Sequence, residues 1–466
     1  MDFSREFGLT PTIIEKDYAL GWILAGISNH SDLGNEWVFK GGTCLKKCYF
    51  ETYRFSEDLD FTIKDPSLLD QDLLTKAFKE ISVWVYDMSG IEIPQDLVRF
   101  EVYTNSRGKI DTQGRISYRG PLQPRHDLPR IKLDLTGDEI LVLNTVNREA
   151  HHPYSDRPED GIYAQCYCFE ELFAEKVRAL SERLRPRDLY DVIHLYRHND
   201  IMPDRTQIVN TLKQKCEFKG MSVPTMKSLE TKPERAELEA EWENMLAHQL
   251  PVLPPFGQFW LELPAMFEWL YRVAEKVAPS PMSSMGMVVD ETWRPPAMAQ
   301  AWHTTTPLEV IRFAAANRLC VDLTYNGSKR LIEPYSLRRT INGNLLLYAV
   351  KHNTGEDRSY RVDRIQGVTV TKVSFTPRYA IELTTLGPLS APPTARRSTG
   401  LIKSKPTSTR SSRRRSSGFG LKYVFKCSLC GKQFTRSSYN ISLNQHKNKQ
   451  GYPCPGRTGM YITTKY

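Results

Sequence analysis

From Ser56 to Ile63 the apolar and polar positions of the chain alternate. Leu59, Phe61 and Ile63 fall on one face, and Ser56, Asp58, Asp60 and Thr62 on the other. A period of two predicts a strand with one apolar and one polar face. "RIKLDLTGDE" repeats the pattern, with Ile131, Leu133 and Leu135 opposite Lys132, Asp134 and Thr136. Phe169 to Leu184 has helical spacing instead, through Leu172, Phe173, Val177, Leu180 and Leu184. Lys176 and Arg183, seven apart, share a face of that helix. Pro186 suits the first turn of a following helix, and Asp188 in the same turn complements the helix dipole.

Residues 1–200 mix strands and helices, and residues 205–275 read mostly helical. Within the latter, "AELEAEWENMLAHQL" forms an amphipathic helix that ends before Pro251. Residues 276–304, rich in Pro, Ser and Met, read as a linker. "PLEVIRFAAANRLCVDLTY" predicts a short helix running into a strand. Alternating strands follow, with turns at Asn342-Gly343-Asn344 and Thr354-Gly355, which predicts a small twisted β-sheet or barrel over 305–385. Residues 386–420 are rich in Pro, Ser, Thr and Arg and read as a basic disordered linker. A cysteine-bearing module fills 421–466. The fold class expected for the whole is α+β.

Asp58 and Asp60 point the same way from their strand. Like charges so close repel unless a proton or a metal ion sits between them. Gly41-Gly42-Thr43 lies upstream, after the apolar Trp37-Val38-Phe39. Glycines there let the backbone approach a phosphate and offer it their N–H groups. Coupled to Asp-Leu-Asp at this distance, the pair gives a nucleotidyltransferase layout, in which carboxylates hold Mg²⁺ against triphosphate oxygens. Asp134, from the second alternating strand, is the candidate third acid. On alternation alone, the same residues describe the solvated faces of half-buried strands. Asp191, His194 and His198 raise the thought of zinc on one helix face. A helical zinc-protease site needs His-Glu-x-x-His, which "HLYRH" lacks, so that reading is rejected.

Charge divides the chain. The formal net charge is +9, from 63 Lys and Arg against 54 Asp and Glu. After Glu382 there is no acid, and that tail carries 16 of the basic residues. The remainder has 47 basic and 54 acidic residues, a net of −7. A basic tail on an acidic body implies a polyanionic partner, with Arg413, Arg414 and Arg415 at its densest point. At 466 residues, about three domains or modules are expected. Lys16 and Asp17 interrupt the start too early for a signal peptide. The apolar run from Tyr18 to Ile27 is too short to span a bilayer, so no membrane partner is expected. Nine cysteines, six of them scattered, suggest a reducing cytoplasm.

Four pieces, "IIEKDYALGWIL", "FKGGTCL", "RFSEDLDF" and "EKVRALSERLRPRDLYDVIHL", resemble the AbiEii/AbiGii nucleotidyltransferase toxins of the DNA polymerase β superfamily, over residues 1–275. The resemblance implies a phosphate loop at Gly41, Gly42 and Thr43, with Arg54 and Ser56 beside metal-binding Asp58 and Asp60. It also implies a functional lysine, Lys176, and acids at Asp188 and Asp191. "IEPYSLRRT", "GNLLLYAV" and "SYRVDRIQGV" resemble a WYL domain, although Leu345-Leu346-Leu347 stands where that family has Trp-Tyr-Leu. Such domains are implied ligand sensors, often for nucleotides or nucleic acid. Tyr335, Arg338, Arg339, Arg358, Arg361 and Arg364 would give a basic, aromatic surface able to stack on bases and pair phosphates.

Cys427-x₂-Cys430, then His446 and Cys454, resembles a zinc finger with a knuckle-and-helix spacing, a long middle and cysteine as fourth ligand. Phe434 and Leu443 would supply its apolar filling, and a module this small needs metal to fold. The expectation is an Mg²⁺-dependent enzyme moving a nucleotide from an NTP to a hydroxyl, with an RNA such as tRNA favoured. The family implies a toxin–antitoxin or phage-defence role and an antitoxin partner. The rival readings are an inactive nucleic-acid-binding regulator and nucleotidyl transfer to a protein.

Overall fold

The computed structural model describes residues 9–50, 53–123, 127–198, 203–272, 308–339, 344–379, 381–383, 389–390, 422–436, 440–447 and 453–465. Arg413, Arg414 and Arg415, the Asn342-Gly343 turn, the 276–304 linker and nearly all of 386–420 lie outside them. The chain divides into two units, Met1–Leu389 and Ser390–Tyr466.

The first unit opens with helix α1 (Pro11–Asn29). It is apolar on all sides, and its residues from Tyr18 to Ile27 are buried, as a central helix requires. It packs on β2 (Asp58–Ile63), β7 (Tyr163–Cys166) and helix α3 (Gln71–Ser89). Its buried acid Asp17 pairs with Lys47 at 2.8 Å, which pins α1 to the segment after the glycine turn. That segment comprises β1 (Trp37–Lys40), a short helix α2 (Gly41–Cys44) and a π turn, Leu45–Tyr49.

Seven strands form one mixed sheet. With β3 (Arg99–Thr104), β4 (Ile110–Ser117), β5 (Arg130–Thr136) and β6 (Val146–Glu149), the order is β3-β4-β5-β2-β1-β7-β6. The pairs β2–β5 and β1–β7 run parallel. Both alternating segments become strands with the expected faces: Leu59, Phe61, Ile131, Leu133 and Leu135 are buried.

Helices follow in sequence. Helix α4 (Phe169–Arg183) ends at Leu184, whose φ of +46° turns the chain. Pro186 then starts α5 (Pro186–Arg197). Helices α6 (Arg205–Phe218), α7 (Met226–Glu230), α8 (Arg235–Ala240), α9 (Trp242–Leu246) and α10 (Phe256–Tyr271) complete the layer. The single amphipathic helix expected over "AELEAEWENMLAHQL" is broken at Glu241. There Trp242 turns inward and donates its indole N–H to Pro254 O at 2.8 Å.

Helix α11 (Leu308–Ala316) then packs on an antiparallel sheet of β8 (Leu319–Tyr325), β9 (Ser328–Arg339), β10 (Leu345–Lys351), β11 (Asp357–Arg361) and β12 (Ile365–Ser374). Their order is β11-β10-β9-β8-β12, an open sheet. A two-residue strand, β13 (Leu389–Ser390), follows. This sheet meets α5 and α10 through polar contacts. Tyr190 Oη donates to buried Asn317 Oδ1 at 2.9 Å, and Glu262 accepts from Arg197 at 2.7 Å and Arg318 at 2.6 Å.

Tyr335 corrects one expectation. It is 4% exposed, packed edge-on against Phe375, and its hydroxyl bonds Glu333 at 3.0 Å. It is therefore core, with no face free to stack on a base. Arg338 is paired with Glu382, Arg358 with Glu356 and Arg361 with Asp363, while Arg364 is exposed.

In the second unit β14 (Lys422–Cys427) lies between β15 (Gln433–Arg436) and β18 (Gly459–Lys465). A separate pair joins β16 (His446–Lys447) to β17 (Pro453–Cys454). The helix implied by the finger-like spacing is absent among its described residues. The chain after Cys430 turns back as a hairpin, and Phe434 pairs with Phe425.

Candidate active site and metal-ligating clusters

The glycine turn is built by close approach. Gly41 has φ +80°, and a Cβ there would come within 2.1 Å of Asp60 Oδ2. A Cβ on Gly42 would stand 2.6 Å from Arg54 Nη2 and 3.1 Å from Ser56 Oγ. Thr43 Oγ1 donates to Asp58 O at 2.5 Å, which fastens the turn to β2. Register does the rest: Lys40 pairs with Asp60 across β1–β2, and Asp60 with Asp134 across β2–β5. Asp58, Asp60 and Asp134 thus share one polar face.

The electrostatics match a cation site. Burial, then the neighbouring Asp134, pushes the Asp60 carboxyl up to about 6, against Lys176 and Lys40. Asp58 is also raised, by burial first and, beyond the opposing Lys132, by Asp134. A set of oxygen donors that resists ionising together is one that a hard divalent cation stabilises. Asp134 accepts from Lys132 at 2.7 Å and from Gln113 Nε2 at 3.3 Å.

Helices α4 and α5 supply cations and the acids that hold them. Asp191 is fully buried. It accepts from Arg54 Nε at 2.7 Å and Nη2 at 2.9 Å, from Tyr53 Oη, and from Lys176 Nζ at 2.7 Å. Burial alone would raise this carboxyl, but Arg54 and then Lys176 outweigh it and hold it low. Asp188 is likewise buried and accepts both arms of Arg183, at 2.7 and 2.8 Å. The structure therefore gathers the nucleotide-binding candidates Gly41, Gly42, Thr43, Arg54 and Ser56 at one turn. It places Asp188 and Asp191 as partners of basic side chains.

Three residues escaped the sequence reading. Lys132 alternates with Asp134 on the same polar face, which is the signal that would have found it. Lys40 acts on Asp60 and pairs with Glu175 at 3.4 Å. Arg187 lies among Arg54, Asp58 and Glu57, and among the described residues its buried Nε has no hydrogen-bond partner. A cleft of about 720 Å³ is lined by Lys16, Glu57, Tyr118 and His248 among others; Asp58, Asp60, Asp134 and the glycine turn are not among its lining residues.

In the second unit Cys427, Cys430, His446 and Cys454 bring their ligand atoms within 4.8 Å of one another. Cys427 and Cys454 sulfurs are 3.8 Å apart, and Cys430 Sγ is 3.2 Å from His446 Nε2. Two thiolates on one tetrahedral zinc, each about 2.3 Å from it, stand roughly 3.8 Å apart. His446 Nδ1 bonds Asn444 O at 2.9 Å, which leaves Nε2 for the cluster. The backbone N–H of Cys430 leads the contacts holding the Cys427 thiol down to about 6. Leu443 and Phe434 pack around the set.

The family model described as nucleotidyl transferase AbiEii toxin, type IV TA system, matches residues 22–273, and a WYL domain model matches residues 307–370. The chain belongs to the AbiEii nucleotidyltransferase toxin family. It is a toxin-type nucleotidyltransferase with a WYL domain following the catalytic one. Among solved structures, it is similar to JHP933 of Helicobacter pylori at 17% identity and TM-score 0.36, covering 57% of this chain and 94% of that one. It is also similar to MenT4, a nucleotidyltransferase toxin of Mycobacterium tuberculosis, at 19% identity and TM-score 0.36, covering 56% and 84%. At those scores the family assignment rests on the family models alone. Curated proteins give no match. No described helix is long and apolar enough to cross a membrane.

Proposed function

We propose that the chain transfers a nucleotidyl group from an NTP to a hydroxyl of an RNA such as tRNA, in the cytoplasm, as the toxin of a toxin–antitoxin or phage-defence pair. The observation that carries this reading is the register of Asp60 beside Asp134, with Gly41 packed on the Asp60 carboxylate. Asp58, Asp60 and Asp134 would hold Mg²⁺. When bound, the ion supplies positive charge to the phosphate oxygens and lowers the pKa of the attacking hydroxyl. The N–H groups of Gly41, Gly42 and Thr43 bind phosphate oxygens, and Lys176 adds a point charge. Arg54 and Ser56 lie close against Gly42, and Asp191 and Asp188 hold Lys176 and Arg183 in place. The acceptor oxygen attacks the α-phosphorus, the bond to the bridging oxygen breaks, pyrophosphate leaves and the hydroxyl proton is released.

Cys427, Cys430, His446 and Cys454 hold a zinc ion in this reading, and the basic tail grips nucleic acid, with Arg413, Arg414 and Arg415 among its contacts. Arg338, Arg361 and Arg364 give the β domain a cationic surface for its ligand, and an antitoxin protein is the natural partner. The deciding experiment incubates the protein with each labelled NTP, Mg²⁺ and total cellular RNA or protein. Labelled RNA, lost on Asp60→Asn, is expected. Label in protein would move the acceptor to a protein hydroxyl, and no label with any NTP would favour a binding-only regulator.

A further inference from the structure

Three of the six cysteines outside the tail meet in the core of the first unit. Cys44 ends α2, Cys48 lies one turn further on, and Cys166 closes β7. Their sulfurs lie within 4.8 Å of one another. Cys44 and Cys166 are fully buried, Cys48 is nearly so, and all three are free thiols. Burial first, then hydrogen bonding to its neighbours, raises the Cys44 thiol. Hydrogen bonds from Cys44 and Cys48 hold the Cys166 thiol low. Arg148 stands beside it, donating Nε to Cys48 O at 2.8 Å and covering the Tyr49 ring.

We propose that Cys44, Cys48 and Cys166 form a buried three-sulfur site for a thiophilic d¹⁰ metal ion of the zinc or cuprous class. Thiolates around such an ion at about 2.3 Å stand roughly 4 Å apart, compatible with sulfurs that all lie within 4.8 Å of one another. Soft sulfur donors select these ions over Mg²⁺, so the site does not compete for the cation of the carboxylates. No histidine or carboxylate joins the set among the described residues, which favours three-coordination. A divalent ion with three thiolates carries one negative charge, which Arg148 offsets. The ion ties the helix that begins at Gly41 to β7, which itself pairs with β1 at Phe39 and Cys166. It would thus act as a fixed point behind the glycine turn. This inference is independent of the nucleotidyl-transfer reading.

The test is metal content of the full chain, purified under reducing, anaerobic conditions without chelator. The parent and a Cys44→Ser, Cys166→Ser variant are each exposed to Zn²⁺ and, separately, to Cu⁺, then freed of loose metal. The variant is expected to hold one equivalent less than the parent for at least one ion. Equal metal in parent and variant for both ions, with matching circular dichroism, overturns the proposal and leaves three ordinary core thiols. If the double variant does not fold, a chain bearing Cys427→Ser and Cys430→Ser keeps the question decidable. Loaded with Co²⁺ or Cu⁺, that chain should show a sulfur-to-metal charge-transfer band and release one metal equivalent when denatured with thiol reagent. Full thiol reaction without metal release, and no such band, overturns the proposal.

Discussion

Lys176 Nζ lies 2.7 Å from Asp191 Oδ2, and the same carboxylate receives the Arg54 guanidinium through two hydrogen bonds. One buried acid thus orients two cations, one from the segment before β2 and one from α4. Removing the acid strands both. Asp191→Ala should therefore destabilise the protein by about 3–5 kcal/mol, the usual cost of leaving buried charge unpaired. Lys176→Ala leaves the Arg54–Asp191 pair intact and should keep the fold, while the NTP KM rises roughly tenfold or kcat falls to match. Denaturant unfolding of both variants, beside steady-state kinetics of the second, separates the two roles. Equal loss of stability in both would place Lys176 in the scaffold alone.

Asp58→Asn and Asp60→Asn should each cut transfer by at least about a hundredfold, since each removes a charged oxygen donor from the face that β2 and β5 share. The fold should survive. Residual labelling within about tenfold of the parent in both variants would remove these residues from the metal set.

The raised carboxyl of Asp60 gives a pH signature. Its ordinary value is 3.8 and its value in the fold is about 6. A carboxyl raised by folding favours the folded state most when it is protonated. Its contribution is fully present below pH ~4 and is lost as pH rises through about 6. Metal-free Asp60→Asn protein should accordingly melt higher than the parent at pH 7, by roughly 1–3 °C, and no higher at pH 4. In the proposed reading Mg²⁺ displaces this proton, so its apparent affinity should weaken as pH falls below about 6. Calorimetry with and without Mg²⁺ across pH 4–8 reads both effects.

Cys430→Ser should release zinc from the second unit and unfold it, because among the described residues the cluster around the ligands is small: Cys427, Leu443 and Cys454, with Cys430 and Phe434 packed against them. Amide exchange in the full chain would show loss of protection confined to residues 422–465. Deleting residues 386–466 should abolish most RNA binding and flatten its salt dependence, since the tail carries the cationic surplus. An RNA affinity unchanged by the deletion would move the polyanion surface to the first unit.

Much of this site was legible because strands report their faces directly. Asp58, Asp60 and Asp134 needed only the period of two and a neighbouring strand. The α4–α5 turn was legible from Pro186. What failed to show was side-chain partnership across long separations. Nothing in the sequence says that Asp191 holds Arg54, 137 positions earlier, or that Tyr335 lies inside its sheet. The Tyr335 error has a simple cause: the arginines that follow it in sequence suggested a binding surface, while its neighbours in space are Phe375 and Tyr379. The broken helix at Glu241 belongs to the same class, because burial of Trp242 overrode local helical preference. Cys44 and Cys48 are four apart on a helix, yet Cys166 reaches them only through the pairing of β7 with β1.

The contact of Gly41 with Asp60 has a genetic consequence. Two separate demands meet at that position: a left-handed backbone, and no room for even a methyl group. Alanine therefore fails there as surely as tryptophan does. In a cell that makes this toxin without its antidote, survival requires a mutation that disarms the protein. Under the proposed reading, missense changes of the Gly41 codon should be such escapes, whereas most changes at exposed positions should not. Survivors sequenced from such a selection should pile up at this codon well beyond its share of the gene, making a count of colonies a direct reading of one interatomic distance.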